Sequence, residues 1–128
     1  MKKILTFLLT AGLLVLGTNG LAAQTAPKSV IHVVTVAWKP DATPAQIQAA
    51  LDGVQALPAS YPGITHVWTK AIKIQDAPGA KLKKANVFVM EFVDEAAFKA
   101  YTDSPAQKEW YKVYIPIREQ STTFDITN

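Results

Sequence analysis

"VIHVVTVAWKPDATPAQIQAAL", Val30–Leu51, is the stretch whose reading decides the fold. Its first nine residues are rich in β-branched side chains and hold no proline or glycine, which predicts a strand over Val30–Trp38. Side chains alternate along a strand, so Val30, His32, Val34, Val36 and Trp38 share one face. Ile31, Val33, Thr35 and Ala37 share the other. Both faces are largely apolar, so both are expected to be covered. "KPDATPAQ" ends the strand and opens a helix. Thr43 stands at the N-cap, Pro44 at the first helical position and Gln46 three residues after the cap, which is a capping box with a proline start. Ile47, Ala50, Leu51, Val54 and Leu57 then recur at helical spacing, and Pro58 with Tyr61–Gly63 is expected to close the helix.

Working outward, Ile64–Gln75 reads as a second strand and Val87–Phe92 as a third. On the third, Phe88, Met90 and Phe92 share one face, and Val87, Val89 and Glu91 the other. Asp76–Asn86, with Lys81, Lys83 and Lys84, reads as a solvated loop between them. Asp94 can cap a helix that carries Ala97, Phe98 and Tyr101. The break that follows, Ser104–Gln107, repeats the Thr43–Gln46 signal: Ser104 caps, Pro105 opens the turn and Gln107 is expected to reach back to the cap. A helical pattern with Trp110, Tyr111 and Tyr114 runs to Pro116, and Ser121–Thr127 is a last strand.

The order β-α-β-β-α-β predicts an α+β, ferredoxin-like subunit: an antiparallel four-stranded sheet with helices on one face. The other face would carry Ile31, Val33, Val87 and Val89, an apolar surface of a kind soluble monomers rarely expose. A homodimer, open sheet face against open sheet face, is the expected remedy.

The first 23 residues, "MKKILTFLLTAGLLVLGTNGLAA", have a basic start, an apolar run over Ile4–Gly17 and a small-residue end at Ala22 and Ala23. They read as a cleaved signal peptide, since the run is short for a bilayer span; a retained anchor is the lesser alternative. Residues 24–29 would be a mobile lead-in and residues 30–127 the domain. Cleavage lowers the net charge from +3 to +1, because Lys2 and Lys3 leave with the segment. A chain so close to neutral gives no electrostatic case for nucleic acid, or for membrane association after cleavage. The expected location is periplasmic or secreted. With no cysteine there is no disulfide, thiolate nucleophile or lipid-bearing cysteine.

"HVVTVAWKP", then "YPGI", "EFVDEAAFKAYTDSPAQKEW", "IPI" and a closing "FDI" together resemble the stress-responsive A/B barrel domain (Dabb) family. The likeness runs over roughly residues 30 to 126. It implies a dimeric α/β barrel of two ferredoxin-like subunits and says little about activity, since many members have no assigned reaction. A plant branch includes a cofactor-free polyketide cyclase. There a catalytic His stands where this chain has Gln107, with a first His at Ser104 and an assisting Tyr at Tyr101. An amide takes no proton near neutral pH, so that mechanism does not carry over at its centre. His32 matches another family position, a histidine on the first strand facing the helices.

The candidate catalytic residues are therefore His32 and Tyr101. The candidate ligand-binding set is His32, Val34, Val36, Phe88, Met90, Phe98, Tyr101, Gln107 and Trp110. The leading expectation is a pocket for a small apolar or aromatic molecule with His32 as polar anchor. A cofactor-free cyclase or lyase and a ligand-free structural dimer are the alternatives. No cofactor is called for, since the chain holds no glycine-rich phosphate loop. No metal site is expected either: His32 and His66 fall on different strands, and Glu91, Asp94 and Glu95 read as solvated carboxylates.

Overall fold

The computed structural model describes residues 27–73 and 85–127. The leader, the start of the lead-in and nearly all of the lysine-bearing loop lie outside the described residues. Four strands form one antiparallel sheet in the order β2-β3-β1-β4: β1 Val30–Trp38, β2 Ile64–Ala71, β3 Asn86–Phe92 and β4 Arg118–Ile126. The helices are α1 Pro44–Ser60, α2 Glu95–Tyr101 and α3 Pro105–Tyr114, with a 3-10 turn at Ile115–Ile117. This is the ferredoxin-like arrangement read from the sequence, and the sheet of one subunit is open rather than closed.

The local signals work much as the sequence implies. Thr43 accepts from the Gln46 N–H while Gln46 accepts from the Thr43 N–H, a complete capping box. Asp94 caps α2 by accepting from the Ala97 N–H at 2.8 Å. Pro58 does not end α1. It sits in the last turn, where few helical hydrogen bonds remain to lose, and the Tyr61 N–H closes the helix on Leu57 O. β2 stops at Ala71, short of the expected Gln75. β4 starts at Arg118, three residues before the expected Ser121.

Register sorts the two faces. Val30, Val34, Val36, Phe88, Met90 and Phe92 turn inward and are buried beneath the helices. Trp68, Val89, Val33 and Phe124 form one row across all four strands on the opposite face. Beside it runs a second row, His66, Glu91, Ile31 and Ile126. In that row a hydrogen bond from His66 holds the Glu91 carboxyl below its ordinary pKa. Trp68, Phe124 and Ile126 stand 47%, 56% and 59% exposed in the single subunit.

On the covered side α1 and α3 meet closely at Gly53. A Cβ there would stand 2.9 Å from Cδ1 of Trp110. That indole cannot yield freely, because its Nε1–H donates to Ala50 O at 2.9 Å and its ring stacks on Tyr114. Alanine for glycine ordinarily favours a helix interior. Here overpacking dominates, and Gly53→Ala is expected to cost about 1–3 kcal/mol in urea unfolding.

Candidate functional site

The inner sheet face is not wholly filled. Between β4 and the α2–α3 corner it leaves a cavity of about 240 Å³. Its floor is His32 and Val34 of β1 with Phe88 and Met90 of β3. Phe98, Tyr101 and Thr102 close one side, and Gln107, Trp110, Tyr111 and Tyr114 of α3 form the roof. Arg118, Ser121 and Thr123 of β4 supply a polar wall. Of the residues expected at a site, His32, Val34, Phe88, Met90, Phe98, Tyr101, Gln107 and Trp110 meet here. Val36 does not: it is fully buried in the core and lies outside the cavity lining.

His32 has a partner that the sequence reading passed over. Its Nδ1 lies 2.5 Å from Oδ1 of Asp125, the residue directly opposite on β4. A carboxylate only accepts, so the hydrogen of this contact belongs on Nδ1, leaving Nε2 as the free ring position. No other described residue hydrogen-bonds the ring, which packs against Phe98 and Phe92. Asp125 thus sets the tautomer and tilt of an imidazole that lines an apolar cavity. The alternation of Ser121, Thr123 and Asp125 opposite Phe124 and Ile126 was the available signal, and it becomes meaningful only once β4 is paired with β1.

Tyr101 and Tyr114 line the same cavity, and each is 2% exposed. The Tyr101 hydroxyl has no hydrogen-bond partner; the Tyr114 hydroxyl makes no bond of good geometry, but the Ser121 and Arg118 side chains stand within its reach. Burial pushes both phenols above their ordinary pKa, and on Tyr114 hydrogen bonding from Ser121 and Arg118 opposes it. Tyr111 is raised by burial as well. These groups therefore stay protonated and act as donors, not bases. Buried hydroxyls without partners are costly, and they cluster where a ligand or water would satisfy them.

The turn before α3 is structural. Ser104 accepts from the Gln107 N–H at 3.2 Å, as a cap should. The Gln107 side chain, however, accepts from the Asp103 N–H at 2.8 Å instead of reaching the cap residue. The Ser104 N–H is already taken by Tyr101 O. Asp103 has a φ of 64°, so Gln107 pins a left-handed residue at the corner of the cavity. The carboxylates read as solvated have protein partners: Glu91 accepts from Thr65 and His66, Asp94 from the α2 cap, and Glu95 pairs with Lys99.

Comparison with known proteins gives the family. The stress responsive A/B barrel domain, Dabb, matches residues 30–128, and the chain belongs to that family. No curated protein matches it in sequence. A Dabb family protein with a ferredoxin-like fold from Mesorhizobium loti superposes with a TM-score of 0.62 at 23% identity, over 78% of this chain and 96% of that one. Hydroxynitrile lyase from Passiflora edulis gives 0.69 at 18% identity, over 80% and 95%. A dimeric ferredoxin-like protein of unknown function from Thermobifida fusca gives 0.62 at 20% identity, over 78% and 91%. At these identities the likeness speaks for the fold alone.

The unpartnered Tyr101 hydroxyl has a measurable consequence. Tyr101→Phe removes a buried, unsatisfied group and keeps the ring. In the ligand-free protein it is expected to leave stability unchanged or raise it by up to about 1 kcal/mol in urea unfolding. A loss of that size would mean the hydroxyl has a partner after all.

Proposed function

We propose that this Dabb protein is exported, works as a homodimer, and binds a small, largely apolar molecule in the cavity beneath β4, with His32 as the polar anchor. The buried Tyr101 hydroxyl, which lines the cavity without a hydrogen-bond partner, carries this reading, because such groups are rare in a closed core. The mixed lining supports it: aromatic and aliphatic side chains on floor and roof, hydroxyls and an imidazole along one side. Export is supported by the basic start, apolar run and small-residue end of the first 23 residues.

The dimer is supported by the exposed apolar row Trp68, Val89, Val33 and Phe124. Relatives of the same fold are dimeric. Sedimentation of the chain lacking residues 1–23 is expected to give a dimer at micromolar concentration. Val33→Lys is expected to give monomer or unfolded chain, since it places an unpaired charge in the joint. A parent protein that sediments as a monomer would sink the sheet-to-sheet interface.

A second reading, cofactor-free proton transfer, is favoured by one observation: the His32–Asp125 contact, which leaves Nε2 as a base facing an apolar space. Tyr101, held protonated, would then donate to a developing oxyanion. The relative that bears a lyase name shares the fold and lends this reading its plausibility.

Ligand binding is tested with a neutral fluorescent probe, N-phenyl-1-naphthylamine. It is expected to bind saturably, and Val34→Phe, which fills the cavity floor, is expected to abolish binding without unfolding the protein. Absence of saturable binding to the parent would overturn the cavity as a ligand site. His32→Gln separates the two readings: an anchor alone loses affinity in proportion to one hydrogen bond, whereas a catalytic base loses all turnover of any substrate found.

A further inference from the structure

Arg118 opens β4 and lines the cavity. Its guanidinium lies over the Tyr114 ring, 5.3 Å from the centroid, and Nη1 donates to Ser121 Oγ at 3.3 Å. Among the described residues it has no carboxylate partner: Asp125 and Glu91 are taken by His32 and His66, Glu95 by Lys99 and Glu109 by Lys112. A guanidinium has five N–H donors in a rigid fork, so one side-chain bond leaves most of that capacity unused. Beside it, the buried Tyr114 hydroxyl lies within reach of the guanidinium and of Ser121, and the Tyr101 hydroxyl is buried without a partner. The guanidinium is thus the strongest donor in the cavity lining.

We propose that Arg118 makes this cavity an anion site, and that its ligand is a small monocarboxylate whose apolar body lies against Phe88, Met90 and Trp110. A carboxylate presents two coplanar acceptor oxygens that match the guanidinium fork, and its remaining lone pairs accept from a neighbouring phenol. Arg118 is the single lysine or arginine in the lining, which suits a monoanion better than a phosphate dianion. The position also orients the ligand. Arg118 stands opposite Trp38, whereas His32 stands opposite Asp125. Those two β1 positions are roughly 20 Å apart along a strand. Side chains reach inward from the two ends, so the acid group is held at the far end from the imidazole.

This rests on the cavity being a ligand site, and the test keeps the two apart. Titration calorimetry would compare 1-naphthoate with the isosteric 1-naphthamide on the parent protein. N-phenyl-1-naphthylamine fluorescence reports in parallel whether the cavity is intact. The carboxylate is expected to bind about tenfold or more tighter than the amide. Arg118→Gln should erase that preference and keep the neutral probe, and Arg118→Lys should restore part of it. If the probe binds but the carboxylate has no advantage, or the advantage survives Arg118→Gln, the anion site is wrong and the cavity stands. Tighter binding of 1-naphthyl phosphate than of 1-naphthoate would overturn the monocarboxylate assignment. If neither the probe nor the carboxylate binds, both readings fall.

Discussion

The pairing of β1 with β4 governs both faces of the subunit. Side chains alternate along each strand, so one register places His32 beside Asp125 toward the helices and Val33 beside Phe124 on the open side. A slip by one residue would exchange these sets. It would turn Asp125 away from the imidazole and bring Phe124 under the helices. The bulge between Ala37 and Trp38 adds a second adjustment, letting Arg118 join the strand at its start and still face the cavity. β1 is apolar on both sides, so the alternation of Thr123 and Asp125 with Phe124 and Ile126 on β4 is what distinguishes one pairing from the other.

The cavity exists because the aromatic cluster around it is over-determined. Trp110 stacks on Tyr114 at 4.5 Å, Phe88 meets both edge-on, and the Trp110 N–H is fixed to α1. These rings cannot collapse into the space without losing their own contacts. On the other side, Tyr61 and Phe92 hold the Tyr101 ring while its hydroxyl goes without a partner. Stability is given up at the Tyr101 hydroxyl and recovered in the packing of the ring that bears it.

Much of the architecture was legible in the sequence, because its signals are local or periodic. The nine-residue β-branched run, the Thr43 capping box and the alternation of Phe88, Met90 and Phe92 each act over a few residues. The site was legible only where it is apolar. Its polar half depends on β4, an edge strand whose first residues, Arg118-Glu119-Gln120, lack apolar alternation and so do not announce a strand. The partner of His32 lies 93 residues away, and no local pattern reports such a pairing. The Gln107 side chain went to Asp103 because the cap residue's own N–H was already used, a competition visible only in three dimensions.

β4 is also the outer edge of the sheet, bonded to β1 on one side only. Nine residues without proline, with Phe124 and Ile126 turned to the open face, offer a template for any passing extended chain. Arg118 and Glu119 at one end and Asp125 near the other place charges on this edge, a common device against the pairing of exposed strands. Asp125 therefore has two masters: the tautomer of His32, and the colloidal behaviour of a strand that would otherwise pair promiscuously. Neutralising it would confound the two, so a fall in soluble yield and a change at His32 would arrive together.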